Sequence, residues 1–170
     1  MRFPDSPDLR PTPDRVRETL FNWLGQDLSG LSCLDLFAGS GALGFEAASR
    51  AAASVVMVEN SPRVLATLEA NARILGVGQR VQIVRSDAVR FVTSSGGRFN
   101  VLFLDPPFRG GWMDRLAPIV AEVLDADGVI YAEAEMVLDG LGSWRTVRYG
   151  RAGQVFYHLM RRGGGADGTK

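Results

Sequence analysis

The chain has 170 residues, 46% of them hydrophobic and 22% charged, the composition of one globular domain and not of a disordered or low-complexity segment. Basic and acidic side chains cancel at 19 each, and the single cysteine (Cys33) and single histidine (His158) exclude an internal disulfide and any Cys-rich or His-pair metal site, so no metal is expected. No apolar run approaches the ~20 residues of a membrane helix, and the first residues lack the apolar centre of a signal peptide, which points to a cytoplasmic protein with no membrane partner.

In chain order, Thr12 can cap a helix that Pro13 starts, with Val16, Leu20, Phe21, Trp23 and Leu24 as its apolar face. Residues 32–36 read as a short buried strand, 42–52 as an Ala-rich helix and 54–59 as a second strand. Ser61 caps a helix with Pro62 at its first position, and Gly76 ends it. Residues 81–85 and 101–104 are the third and fourth strands, 113–124 a helix disturbed by Pro118, and 129–133 the fifth strand. Strands alternating with helices predict an α/β fold, with a parallel sheet covered on both faces. The last two runs, 144–151 and 154–160, leave no room for a helix around Ala152-Gly153 and predict an antiparallel hairpin. The domain is expected to span residues 1–162, with 1–30 an extended segment plus helix and 163–170 a disordered tail. Charge is uneven: positions 19–144 are net acidic, whereas 145–170 carry five arginines and Lys170 against Asp167.

Strand one runs into LDLFAGSGALGFEA, where Gly39, Gly41 and Gly44 spell G-x-G-x-x-G. Glycines permit a tight turn whose backbone N–H groups face a ligand beside a helix N-terminus. The pattern alone is shared with nicotinamide and flavin binders. Strand two ends in Glu59, eighteen residues after Gly41, where an acid accepts hydrogen bonds from ribose hydroxyls. Asp87, after strand three, can meet an adenine amine or simply cap a helix. Asp35 would put negative charge near a pyrophosphate. A cation suits that spot better, and S-adenosylmethionine, with its sulfonium and α-amine, carries one.

Strand four runs into Asp105-Pro106-Pro107-Phe108, at the edge of the sheet where ligands of open α/β folds bind. Two prolines stiffen the turn and remove two donors, leaving the Asp105 carboxylate and the Pro106 carbonyl as acceptors. Two acceptors suit the two N–H groups of an exocyclic amine on an aromatic base. Held out of the ring plane, the nitrogen regains a nucleophilic lone pair, and a methyl donor must lie in line roughly 3–3.5 Å away. Phe108 would stack on the base, a contact of about 1–3 kcal/mol. Asp105 is a candidate to accept the released proton.

LRPTPDRVRETLFNWL, CLDLFAGSGALGFEA, FLDPPF and AGQVFYHL together resemble the RsmD family over about residues 4–162. These are Rossmann-like class I S-adenosylmethionine-dependent methyltransferases that modify the exocyclic amine of a guanine in small-subunit (16S) ribosomal RNA. The resemblance implies a mostly parallel seven-stranded sheet whose last strand runs antiparallel between its neighbours. It implies cofactor contacts from Thr12, Arg15, Asp35, Phe37, Gly39, Ser40, Gly41, Glu59, Asn60, Asp87, Ala88 and Asp105, and catalysis by Asp105, Pro106, Pro107 and Phe108. Candidate RNA contacts are Arg10, Arg17, Arg109, Arg145 and Arg148. The implied partner is 16S ribosomal RNA, as a small subunit or an assembly intermediate, met by a monomer. Relatives usually carry a basic, glycine-containing segment ahead of PDSPDLRP. Here Met1 falls almost on that stretch, which lowers the RNA affinity expected. The rival readings are a DNA adenine amino-methyltransferase, for which 170 residues leave no room for a target-recognition domain, and a nicotinamide-dependent oxidoreductase, which leaves Asp105–Phe108 unexplained.

Overall fold

The computed structural model describes residues 14–163, so the expectations placed on Arg10, Thr12, Pro13 and the residues after 163 lie outside the described part. Eight strands form one sheet in the order β3-β2-β1-β4-β5-β8-β7-β6. The parallel half comprises β1 (Ser32–Asp35), β2 (Ser54–Glu59), β3 (Val81–Arg85), β4 (Phe99–Leu104) and β5 (Leu124–Ala134). The antiparallel half comprises β6 (Gly140–Leu141), β7 (Trp144–Ala152) and β8 (Val155–Arg162). β8 lies antiparallel between β5 and β7, as expected. The count is eight and not seven because two residues, Gly140 and Leu141, add a short edge strand beside Arg145 and Trp144.

Helices α1 (Asp14–Leu24), α2 (Ala42–Ser49) and α3 (Pro62–Leu75) pack on one face. Their Val16, Leu20, Phe21 and Leu68 meet Cys33, Phe103, Tyr131 and Leu159 there. Helices α4 (Ala88–Ser94) and α5 (Trp112–Leu116) cover the other face, where Leu34, Leu102, Leu104, Trp144 and Met160 are buried. The alternation of Cys33 and Leu34, or of Phe103 and Leu104, between these two cores is the period-2 geometry of a strand buried on both sides. Cys33 is fully buried at the centre of the sheet, and its thiol is pushed up to about 12 by burial, with Asp35 adding to it. Among the described residues, no helix is long and apolar enough to cross a membrane.

Several sequence-based boundaries move, and one helix is added. The helix expected over 113–124 is α5 followed, after a turn, by a 3-10 segment, Val120–Val123, and position 124 already belongs to β5. Pro118 is the reason, since it lacks the N–H that would continue the ladder. The helix expected to reach 52 stops at Ser49, because Ala51 sits in the left-handed region at φ 74°. The helix α4 was not among the predicted elements, although Asp87 was read as a possible cap. Its carboxylate does accept from Arg90 N at 3.0 Å. At α3 the reading holds in detail: Ser61 Oγ accepts from Val64 N, Pro62 opens the helix and Gly76 closes it.

Candidate cofactor and base site

A cavity of about 370 Å³ opens across the carboxyl ends of β1, β2 and β4. Its walls include Asp35, Phe37, Gly39 and Ser40 from the β1–α2 turn, Glu59, Asn60 and Ser61 after β2, Asp87 and Ala88 at the start of α4, and Asp105, Pro107 and Trp112 beyond β4. Among the described residues four carboxylates line it, and no arginine, lysine or histidine does. Such a wall repels a pyrophosphate and attracts a cation.

The loop that shapes the cavity is held by Glu59. One of its oxygens accepts from Gly39 N at 2.9 Å, and the other accepts from Asn60 N at 3.1 Å and Ser61 N at 3.0 Å. The carboxylate expected at the ribose thus also ties the glycine turn to β2, and it keeps acceptor capacity beyond these three bonds. Asp35 is 1% exposed. Its Oδ2 accepts from Gly44 N at 3.2 Å, while Oδ1 has no hydrogen-bond partner. Burial is the main cause that pushes this carboxyl up to about 7, and Glu59 and Glu133 push the same way against the backbone N–H groups of Gly44 and Phe37. A buried acceptor without a donor is costly, and a cationic N–H group at the cavity floor would satisfy it.

Gly41 does not line the cavity. It lies beneath the turn at φ 89°, and a Cβ there would come within 2.3 Å of the Phe45 ring and 2.7 Å of Leu68. Its role is to let the turn close on the core. Trp112 is a wall of the cavity. Phe37 meets it edge-on at 5.1 Å, and the Arg115 guanidinium covers it at 4.1 Å. Glu133, an acid the sequence reading did not single out, is not among the cavity walls. This buried carboxylate stands one residue from the end of β5 and accepts from the Tyr131 hydroxyl at 2.7 Å. Burial and the neighbouring Glu133 and Asp105 push the Tyr131 phenol well above its usual range. The signal that flagged Glu59, an acid at the carboxyl end of an apolar strand, is equally present at Glu133.

Beyond β4, Pro106 is buried, Phe108 is 36% exposed and Arg109 is exposed. Pro106 and Phe108 stand beside the cavity and are not among its walls. Arg15 is exposed on α1, and Arg17 on the same helix bonds to Asp14. A bulge between Thr146 and Arg148 changes the alternation of β7. Arg145 pairs with Arg161 and Arg148 with Leu159, so all three arginines share one face, while Arg151, opposite Phe156, faces the other way. Arg145 is level with Val129 through Arg161. It is therefore near the end of the sheet opposite the cavity, about 20 Å along the strand from Arg151. His158 is structural: its Nε2 accepts from Leu138 N at 2.9 Å and its Nδ1 lies 3.0 Å from Ala132 O, and burial lowers its pKa.

A twisted parallel sheet with its last strand antiparallel between neighbours, a glycine turn after the first strand and an acid ending the second define a class I methyltransferase. The same fold occurs in the S-adenosyl-L-homocysteine complex of an RNA methyltransferase from Salinibacter ruber, which superposes with a TM-score of 0.71 at 22% identity over 88% of this chain and 92% of that one. The chain belongs to the family described as conserved hypothetical protein 95, whose model matches residues 1–161, the RsmD family that the motifs indicated. Ribosomal RNA small subunit methyltransferase D of Escherichia coli K12 is 44% identical over 165 residues, covering 94% of this chain and 82% of that protein. Its namesake in Haemophilus influenzae is 36% identical, covering 92% and 85%. The solved structure of yhhF from Escherichia coli superposes with a TM-score of 0.83 at 41% identity, covering 94% and 90%.

Proposed function

We propose that this chain transfers a methyl group from S-adenosylmethionine to the exocyclic amine of a guanine in small-subunit ribosomal RNA, in the cytoplasm. The observation that carries the reading is the cavity wall, which among the described residues has four carboxylates and no basic side chain, with a buried Asp35 oxygen that no hydrogen bond satisfies. That wall suits a ligand with an ammonium and a sulfonium and disfavours the pyrophosphate of a nicotinamide dinucleotide. The names of the Escherichia coli and Haemophilus influenzae relatives supply the ribosomal substrate.

When bound, the cofactor supplies an electrophilic methyl group on sulfur. The residues of the chain do the rest. Asp35 and the Gly39–Ser40 turn hold the amino-acid end, Glu59 the ribose, and Asp87 with Ala88 the adenine, against Phe37 and Trp112. Asp105 and the Pro106 carbonyl accept the two N–H groups of the target amine and fix its lone pair towards the methyl group. Phe108 stacks on the extruded base. Asp105 stands on the cavity wall, where it can take the proton that the amine releases. The target base must leave its stack to reach this edge, and a structured RNA presents such a base by shape.

The test is methyl transfer followed by nucleoside mass spectrometry, with undermethylated small ribosomal subunits, free ribosomal RNA and DNA as acceptors. Guanosine methylated on its amine, from RNA alone, is the expected product. Methyladenine from DNA would overturn the substrate, and absence of any methylated RNA would overturn the reading.

A further inference from the structure

The row of paired residues Leu104, Ala132, His158 and Tyr149 crosses four strands from β4 to β7. One step further lie Glu133, Tyr157 and Gly150, level with Asp105. One step beyond these are Ala134, Phe156 and Arg151. Tyr149 and Arg151 therefore bracket the level of Asp105, three strand spacings or about 14 Å to its side. Both project from the same face, since they are two residues apart on β7.

Each side chain is propped from beneath. The Tyr149 ring stacks on His158, with centroids 6.3 Å apart and planes at 27°, and it remains 56% exposed. His158 is fixed by Leu138 N and Ala132 O, so the tyrosine rests on a rigid support. The Arg151 guanidinium lies over Phe156 at 5.4 Å, and its Nε donates to Gly153 O at 2.7 Å. The loop after β5 is pinned to this face as well. Thr146 Oγ donates to Leu138 O at 2.7 Å and Thr146 N to Asp139 O at 2.8 Å, which leaves Met136 and Val137 exposed, 62% and 43%, at the same edge.

We infer that Tyr149, Arg151 and the Met136–Val137 shelf seat the RNA strand next to the target nucleotide, with a flanking base on the tyrosine ring and its phosphate at the guanidinium. This rests on the RNA methyltransferase reading above and extends it from the target base to its neighbours. An exposed aromatic ring and a flanking arginine form the unit that binds single-stranded nucleic acid, where any base offers a π-face. On this face and at this level the cation offered to a phosphate is Arg151, since Arg145, Arg148 and Arg161 project from the opposite face and Arg162 lies at the far end of β8, level with Trp144; the exposed acids of the adjoining loop are Glu135 and Asp139. The distance is right for neighbours of a base held at Asp105.

The experiment compares the full chain with its Tyr149→Ala, Tyr149→Phe and Arg151→Gln variants, on naked small-subunit RNA and on undermethylated particles, with cofactor affinity measured in parallel. Tyr149→Ala is expected to raise KM for RNA about tenfold, with Tyr149→Phe restoring it, because the phenyl ring keeps the stack. Arg151→Gln should raise KM severalfold and lower the salt slope by about one. Cofactor affinity should stay level in all three. An unchanged KM in Tyr149→Ala, beside an active parent, overturns the inference alone. A loss seen on particles and not on naked RNA also overturns it, because the face would then read a protein. A parent that methylates no RNA overturns the functional reading, and this inference with it.

Discussion

Between β2 and β4 the carboxyl edge of the sheet is concave, acidic and tied by backbone hydrogen bonds. Between β5 and β7 it carries the exposed Met136, Val137 and Tyr149 and is followed by a hairpin without acids. The first region can enclose a small cationic ligand and screen it from water. The second offers Arg151 and the supported Tyr149 ring, which suit an extended polyanion. One sheet thus presents two recognition chemistries, and Asp105 stands at their junction, just past the end of β4, the strand that borders both. The contrast follows from strand direction: parallel strands end in loops that converge on a helix N-terminus, whereas an antiparallel hairpin exposes its flanks.

Four substitutions sharpen or break this division. The largest effect is expected for Asp105→Ala: methyl transfer should fall about a hundredfold or more, while calorimetric cofactor affinity holds within a fewfold. A variant with near-parental turnover would leave the junction without its chemistry. Gly41→Ala should lower stability by about 3 kcal/mol, through the strain of a positive φ together with the collision against Phe45 and Leu68. Chemical denaturation measures it, and a normal midpoint would mean that the turn can relax. Glu59→Ala should weaken cofactor binding by about 1.5–3 kcal/mol, the scale of hydrogen bonds to a charged group. Unchanged affinity would reduce Glu59 to a tie for Gly39.

The fourth substitution tests a pH dependence, at Asp35. Its carboxyl titrates near 3.8 when unfolded and at about 7 when buried in the folded chain. The folded state therefore holds the proton more tightly. That stabilisation is fully present below about pH 4 and is lost as pH rises through about 7. Stability of the ligand-free protein should fall across this window, and Asp35→Asn should flatten the fall in urea titrations at several pH values. An equal slope in both proteins would place the titration elsewhere.

Most of the parallel half was legible because its signals are local: Ser61-Pro62 and Gly76 mark the ends of α3, and the glycine turn marks the cavity. The C-terminal half was legible as a hairpin, with its turn shifted by one residue to Gly153-Gln154, where Gly153 takes φ 61°. Other features were hidden because they are relations between distant residues. The bulge after Thr146, which puts Arg145 and Arg148 on one face, exists only through the pairing with β8. Trp112 stands on the cavity wall with its ring against Phe37, seventy-five positions earlier in the chain. Gly41 looked like a ligand contact because glycine loops usually are. Only the packing of Phe45 and Leu68 reveals its other task.

Cys33 has a practical consequence. Its sulfur sits on the middle strand, flanked by β2 and β4, with its thiol pushed up to about 12. Thiolate is the form that reacts with alkylating reagents, so the native protein resists them and labelling requires β1 to leave the sheet. The chain thus carries a single built-in clock for its own unfolding. Because Asp35 lies two residues further along the same strand, a ligand seated at the cavity floor should slow that clock, turning a buried, chemically silent residue into a gauge of site occupancy.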